Sequence, residues 1–320
     1  MRGTLMRLLT KDQHVVILTK YDDNTEAAKA YTKKMKQDVS PQNVRYWRTI
    51  FIVNEGNMAK TDRILKQDRK LRPADPDQDI GVLPDLDKVY HCILHIPDQH
   101  APYAHPDALD FLAAVKAAFP VDLVVNAGDE ADGHAISFHD SDPNLDSAGV
   151  ELEKAKAWLS DLAFIFPEQL VCSSNHGSLV YRKAKVHGIP AQMIKSYRDI
   201  LFPGGKAKRW SWADSWIVQT PLGPVMFRHS SSNPLGDAAH SRCNLMVGHA
   251  HTKLEVQYTE STDFMYWGAT GGCLIDRDSP AFAYATGAKK AAIGCTVILE
   301  GRPMIIPMIR DQNNRWIGRL

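Results

Sequence analysis

Five short apolar runs in this chain each end on residues that bind metal ions. VYHCILHIP (89–97) leads into Asp98 and His100, and VDLVVNA (121–127) into Asp129 and Asp132. QLVCSS (169–174) leads into Asn175 and His176, PVMFR (224–228) into His229, and NLMV (244–247) into His249 and His251. Such runs read as buried strands. Strands alternating with helical segments, one of them around 107–118, predict an α/β domain. Sites in α/β sheets form beyond the carboxyl ends of the strands. One histidine at a strand end would be an ordinary structural residue; five deliveries in succession predict one shared site.

The donors are carboxylates, an amide oxygen and imidazoles. At the first strand end, period-two alternation is expected to turn Asp98 and His100 the same way. Oxygen and imidazole ligands without thiolate suit Mn, Fe, Zn or Ni, and argue against a structural zinc site. The five cysteines are odd in number and form no C-x-x-C pair, so they read as buried thiols. Elsewhere His91 and His95 read as structural, and His134 or His139 as loop residues within reach of substrate. The loop 203–216 interleaves Lys206, Lys208 and Arg209 with Trp210, Trp212 and Trp216. These tryptophans either fill core or stack on unpaired bases.

At 320 residues the chain has room for about two domains. Its 44% hydrophobic and 23% charged content excludes long disorder, collagen and coiled coil. No apolar run reaches the roughly 20 residues of a membrane span. The N-terminus lacks the apolar core of a signal peptide. A soluble, cytoplasmic protein with no membrane partner is the expectation.

The net charge of +1 conceals a division. Residues 1–72 carry 16 Lys/Arg against 8 Asp/Glu, while the remaining 248 residues carry 22 against 29. A basic segment of this kind suggests a polyanion as partner, nucleic acid with DNA favoured; the plainer reading is a solvated basic helical face. Residues 25–36 are rich in helix formers, with Thr25 as the expected cap. After the break at QDVS, Ser40 and Pro41 suit the N-cap and first position of a second helix. Val44, Trp47 and Phe51 then face inward. Gln42, Asn43, Arg45, Tyr46 and Arg48 face outward, where a recognition helix presents side chains to the major groove. A helix–turn–helix is one reading, and an αα-hairpin that docks protein or only packs is the other. Nothing resembles a dimerisation zipper. The proline-rich stretch 73–88 reads as a linker between this helical domain (1–72) and the α/β domain (89–320).

The strand-end residues fall into the pattern DQH (98–100), GDEAD (128–132), SNHG (174–177), His229 and GHAH (248–251). In that order they resemble the signature of the calcineurin-like metallophosphoesterases, over roughly residues 89–310. The resemblance implies a two-sheet β core flanked by helices, an α/β/β/α architecture, with a dinuclear metal centre. It implies that Asp98, His100 and His251 hold one metal and that Asn175, His229 and His249 hold the other. Asp129 would bridge them, His176 would be the acid facing the leaving group, and Asp132 would orient His176. Two divalent ions, Mn first among Mn, Fe, Zn, Ni and Mg, would serve a phosphoesterase hydrolysing its substrate with activated hydroxide. Two positions depart from the pattern. Ser174 replaces a glycine, which is expected to alter only the turn. Gly177 replaces an acidic residue, which puts the orientation of the centre in question. The leading functional expectation is a metal-dependent phosphodiesterase, most of all a DNA nuclease directed by its N-terminal module. The alternatives are a nucleotide or small-molecule phosphatase or phosphodiesterase, and a metal-bearing DNA-binding scaffold with little catalysis.

Overall fold

The computed structural model describes residues 9–36, 38–48, 51–52, 84–138, 142–205, 209–260, 262, 264–282 and 290–320. The chain divides into two compact units, Met1–Ala74 and Asp75–Leu320. The expected linker falls largely outside the described residues.

The N-terminal unit contains α1 (Lys11–Lys20), α2 (Asn24–Met35) and α3 (Pro41–Arg48). Thr10 and Gln13 form a reciprocal capping box at the start of α1. Asp23, not Thr25, caps α2; its carboxylate lies before the helix and accepts from the Thr25 and Glu26 amides. A left-handed Lys36 ends that helix, and Ser40 receives the Asn43 amide at the start of α3. Val44 and Trp47 are fully buried, as their spacing predicts, among Leu18, Ala27 and Tyr31. Within this core His14 Nδ1 meets the Tyr31 hydroxyl at 2.9 Å, and its ring stacks on Phe51 at 4.4 Å.

Arg48 corrects the expected outward face. Its guanidinium donates to the Leu18 carbonyl at 2.6 Å, the Tyr21 carbonyl at 2.5 Å and Asn24 Oδ1 at 3.1 Å. The end of α1 leaves carbonyls without helical partners, and a planar cation with several donors satisfies two of them together. Arg48 therefore ties the three helices to one another. Asn43 is half-exposed on α3. The side chains of Gln42, Arg45 and Tyr46 lie outside the described residues.

The second unit is built on two mixed sheets. The first has the order β11-β10-β1-β2-β3-β4, from β1 (Cys92–Ile96), β2 (Leu123–Asn126), β3 (Glu168–Cys172), β4 (Arg209–Ala213), β10 (Gly294–Leu299) and β11 (Arg302–Pro307). The second has the order β5-β6-β7-β9-β8, from β5 (Ser215–Thr220), β6 (Gly223–Arg228), β7 (Asn244–Val247), β8 (Leu254–Glu260) and β9 (Met265–Gly271). Period-two alternation sends successive β1 residues to opposite layers. Leu94 and Ile96 pack with Phe111, Leu112 and Val115 of α4 (Ala108–Ala118) and with Leu159 and Leu162 of α5 (Ala148–Ile165). Ile93 faces the other way, packing with Val125, Leu170, Phe227, Met246 and Trp267 between the sheets. On the outer side of the second sheet, Ala238 of α8 (Pro234–Ser241) packs on Leu245 and Val247. The expected helix–sheet–sheet–helix layering is present. Two shorter helices, α6 (Leu179–Val186) and α7 (Tyr197–Leu201), follow β3.

The tryptophans of 209–216 fill this core. Trp210, Trp212 and Trp216 are buried, and their indole N–H groups donate to the Phe166 carbonyl, Glu130 Oε1 and the Val171 carbonyl. Strand formation at β4 and β5 turns them inward, which removes them as base-stacking platforms. Lys206 and Lys208 lie outside the described residues. All five cysteines are free and buried. Among the described residues no helix is long and apolar enough to cross a membrane.

His95 is fully buried on β1 with Nδ1 unpartnered, and burial lowers its pKa to about 4. A depressed histidine contributes stability that is complete above its unfolded value near 6.5. That stability is lost as pH falls toward 4, because the unfolded chain binds the proton first. Chemical denaturation of wild type between pH 7 and 4 should show an associated loss on the order of 3 kcal/mol. His95→Leu should lose less over this interval; parallel curves for the two proteins would refute the assignment.

Candidate metal centre

The predicted ligands converge where the strands end, but the backbone brings them there by turns. β1 stops at Ile96, and His100 adopts a left-handed conformation (φ 52°), as do Asp129 (φ 52°) and His249 (φ 66°). So Asp98 and His100 share a side through a turn rather than through strand alternation. Left-handed backbone costs non-glycine residues on the order of 1 kcal/mol each and gathers at functional sites. The loops are tied to one another. The amides of Gln99 and His100 donate to the Asp129 carbonyl at 3.2 and 2.8 Å. Beneath them, Gln99 and Asn126 exchange amide hydrogen bonds, and Asn126 also reaches Gln169, joining the ends of β1 and β2 to β3.

Among the described residues a donor group of His100, Asp132 and His176 forms beside two donor clusters that share Asp129. One comprises Asp98, His100, Asp129 and His251; the other comprises Asp129, His229 and His249. Asp129 Oδ2 lies 3.5 Å from His100 Nε2 and 3.3 Å from His229 Nε2. Asn175 Oδ1 joins the second cluster, 2.7 Å from His229 Nε2. His176 sits beside the clusters, its amide donating to Asp129 Oδ1 at 3.0 Å and its ring half-buried.

Hydrogen bonds behind the imidazoles choose the nitrogen that faces inward. His229 Nδ1 donates to the Ala127 carbonyl at 2.9 Å, and His100 Nδ1 is 2.5 Å from Asp132 Oδ1. In both rings Nε2 is left toward the centre. Here the structure corrects the expected role of Asp132. Its carboxylate is 2.5 Å from His100 but 3.8 Å from His176 Nδ1. His176 Nδ1 donates instead to the Asp132 backbone carbonyl. Asp132 thus orients a ligand with its side chain and the acid with its backbone.

Burial alone would raise the Asp129 carboxyl, yet the surrounding imidazoles of His229, His100 and His176 hold it well below the usual range. Burial likewise disfavours a cationic His229, but Asp129 and Asp98 outweigh it and push His229 up to about 9. His249 is driven down by burial and by the neighbouring His229 charge. The donor set draws positive charge, and loading a cation requires His229 to release its proton.

The same residues pass a structural test for divalent cations. Asp98 Oδ1 is buried and has no hydrogen-bond partner among the described residues. His100 Nε2 and His251 Nε2 face each other at 3.1 Å, as do His229 Nε2 and His249 Nδ1 at 3.2 Å. Opposed ring nitrogens beside an unmatched carboxylate oxygen are what a cation between them would satisfy. Gly248 is required for the approach, since a Cβ there would fall on Asp98 Oδ1.

The two-sheet architecture is the one that the resemblance of the motif order to the calcineurin-like metallophosphoesterases implies. No family model matches the chain, and no curated protein matches it in sequence. Solved structures do. An archaeal phosphodiesterase is 12% identical with a TM-score of 0.37, covering 67% of this chain and 99% of its own. Vps29 from Chaetomium thermophilum is 12% identical with a TM-score of 0.36, covering 72% and 93%. The nuclease MPE from Pseudomonas putida is 11% identical with a TM-score of 0.29, covering 67% and 85%. At this distance the residues themselves carry the functional argument.

The two departures from the metallophosphoesterase pattern have structural roles. Ser174 does more than alter a turn: its hydroxyl accepts from the Asp129 amide at 2.9 Å and the Gly177 amide at 3.0 Å. It therefore clamps the shared carboxylate's backbone to the His176 loop. At Gly177, a Cβ would stand 3.1 Å from Ser174 Oγ and 3.2 Å from the Tyr197 ring. A side chain there would need Ser174 or Tyr197 to give by a few tenths of an ångström. Behind Tyr197, buried Glu130 accepts from Trp212 and Tyr197, and burial pushes its carboxyl up to about 7. Sequence reasoning missed this wall, because nothing in the spacing of residues 130, 197 and 212 brings them together.

His105 and His134 are tied into the backbone. His105 Nε2 donates to the Asn314 carbonyl, and His134 Nε2 accepts the Asp142 amide. His91 pairs with Glu300 at the surface, and His139 lies outside the described residues.

Asp132→Asn should expose the dependence of His100 on its partner. An amide can present either a donor or an acceptor to Nδ1, so the tautomer is no longer enforced. Metal affinity should fall about 10–100-fold, read by competition with a chromogenic chelator. Unchanged affinity would show that Asp132 does not govern His100.

Proposed function

We propose that this chain is a metal-dependent phosphodiesterase acting on nucleic acid, with DNA favoured. The observation that carries the reading is the pair of donor clusters joined through Asp129 beside a half-buried histidine. Asp98, His100 and His251 would hold one divalent ion and Asn175, His229 and His249 the other, with Asp129 common to both. Such ions, Mn first among the candidates, neutralise a phosphate ester and acidify water at neutral pH.

The protein's own groups supply the rest. Asp129, His100 and His229 are held in place by backbone and by Asp132, so the donors need not reorganise as charge develops. The Asp132 carbonyl fixes His176 through Nδ1, which leaves Nε2 to deliver a proton to the departing oxygen. Phosphodiesters have poor leaving groups, so an acid at that place has a purpose. The basic composition of residues 1–72 supports a polyanionic substrate and a targeting role for that unit.

The test uses metal-stripped protein resupplied with Mn²⁺ and incubated with supercoiled plasmid, with bis(p-nitrophenyl) phosphate as a small diester. Nicking by wild type and not by Asp129→Ala supports the reading. If Mn²⁺, Fe²⁺, Zn²⁺, Ni²⁺ and Mg²⁺ all bind yet none supports cleavage of plasmid, oligonucleotide or small diester, the phosphodiesterase reading fails.

A further inference from the structure

We infer that Arg182 and Lys183, seated on Phe138, form a phosphate subsite beside the metal centre. It would take a neighbouring phosphate of a polynucleotide strand whose scissile ester lies at the centre. This inference rests on the nucleic-acid reading above and adds where the polymer is held.

Helix α6 starts three residues after His176 and reads LVYRKAKV, with Arg182, Lys183 and Lys185 and no acid. Among the described residues no carboxylate pairs with these three. Phe138 comes from the loop after β2 and is 47% exposed. Two cations occupy it: the Arg182 guanidinium lies 4.8 Å from the ring centroid and Lys183 Nζ 4.4 Å. The aromatic face holds both through its quadrupole.

Arg182 is also fastened to the centre. Its Nη1 donates to the Asn175 carbonyl at 3.2 Å, while the Asn175 side chain reaches His229. One residue thus links the cation pair to the donor clusters. A guanidinium carries five N–H donors, and this bond uses only one of them. Two like charges brought together and unmatched by carboxylates form a site for an anion. A small ester has a single phosphate, which the metal centre takes. A strand supplies a second phosphate for Arg182 and Lys183, so the pair would favour polynucleotides over esters with a single phosphate.

The test uses the full chain with EDTA, so that nothing is cleaved. Fluorescein-labelled single-stranded DNA and RNA octamers of one sequence are bound at a series of salt concentrations, read by anisotropy. Arg182→Gln/Lys183→Gln is expected to lose about 10-fold or more in affinity. Its log–log salt slope should shrink by about 0.7, the loss of one phosphate contact on a single strand. Arg302→Gln, at the far end of β11, should bind like wild type. The DNA and RNA losses should match, because the contact is to phosphate. Unchanged affinity and slope, or a loss confined to one sugar type, would overturn the subsite. Turnover of bis(p-nitrophenyl) phosphate separates the two ideas. If the variant binds strands weakly while wild type hydrolyses nothing, the subsite stands and the catalytic reading falls.

Discussion

Replacing Asp129 with alanine is expected to disable both halves of the metal centre at once. Asp129 Oδ2 faces His100 and His229 at 3.5 and 3.3 Å, one histidine from each cluster. Among the described residues no other carboxylate is shared between the two groups. Its loss removes one negative charge from each half and leaves imidazoles facing one another without a counter-charge. His229 would also lose the largest of the partners that raise its pKa. Losses of supporting residues around a metal cost about 10–100-fold; removing a ligand common to both ions should cost about 10³-fold or more in diester turnover. Bound metal should drop well below wild type by elemental analysis. Asp129→Asn is the companion variant: it preserves side-chain size and the left-handed backbone, so its melting temperature separates lost metal from lost fold. Retention of the wild-type metal content in both variants would show that Asp129 is not shared.

His176→Ala should behave differently. The His176 side chain lies outside the two clusters that contain Asp129, so metal content should stay at the wild-type level. Rate should fall about 10²–10⁴-fold, the usual contribution of a positioned acid, with the loss in kcat more than in KM. The size of the loss should follow the leaving group. An oligonucleotide leaves as an alkoxide and needs the proton; p-nitrophenolate leaves without it. The variant should therefore retain far more activity toward bis(p-nitrophenyl) phosphate than toward DNA. Equal losses on the two substrates would assign His176 to binding or structure instead of proton delivery.

Much of the centre was legible because its information is local. An apolar run followed at once by a ligand-type residue is a statement about one strand and the turn after it. Asp98, His100, Asp129, Asn175, His176, His229, His249 and His251 all lie in such positions, and the structure brings them together. The inward faces of the strands were equally readable, as Ile93 against Leu94 illustrates. Trp47 and Val44 followed from helical spacing in the same way.

The misread residues share another property: their partners are distant in sequence. Arg48 looked like an exposed helical cation, yet its acceptors are Leu18, Tyr21 and Asn24 on the preceding helices. Asp132 stands close to the His176 loop in three dimensions, but a difference of little more than an ångström gives its carboxylate to His100. Trp210, Trp212 and Trp216 looked like a basic aromatic loop until strand pairing turned them inward. Ser174 and Gly177 read as departures from a motif. Only the amide of Asp129 and the ring of Tyr197 explain them.

By itself, the sequence determined the strand-and-helix alternation, the basic character of the N-terminal segment, and the chemical types available at each strand end. Those depend on composition and on contacts within a few residues, which periodicity records. Tertiary structure decided which imidazole nitrogen faces the centre, which carboxylate is shared, and which groups crowd residue 177. These are differences on the order of an ångström between groups that are mostly tens to hundreds of residues apart. Hydrogen-bond and electrostatic energies change steeply over that distance, and spacing along the chain carries no measure of it.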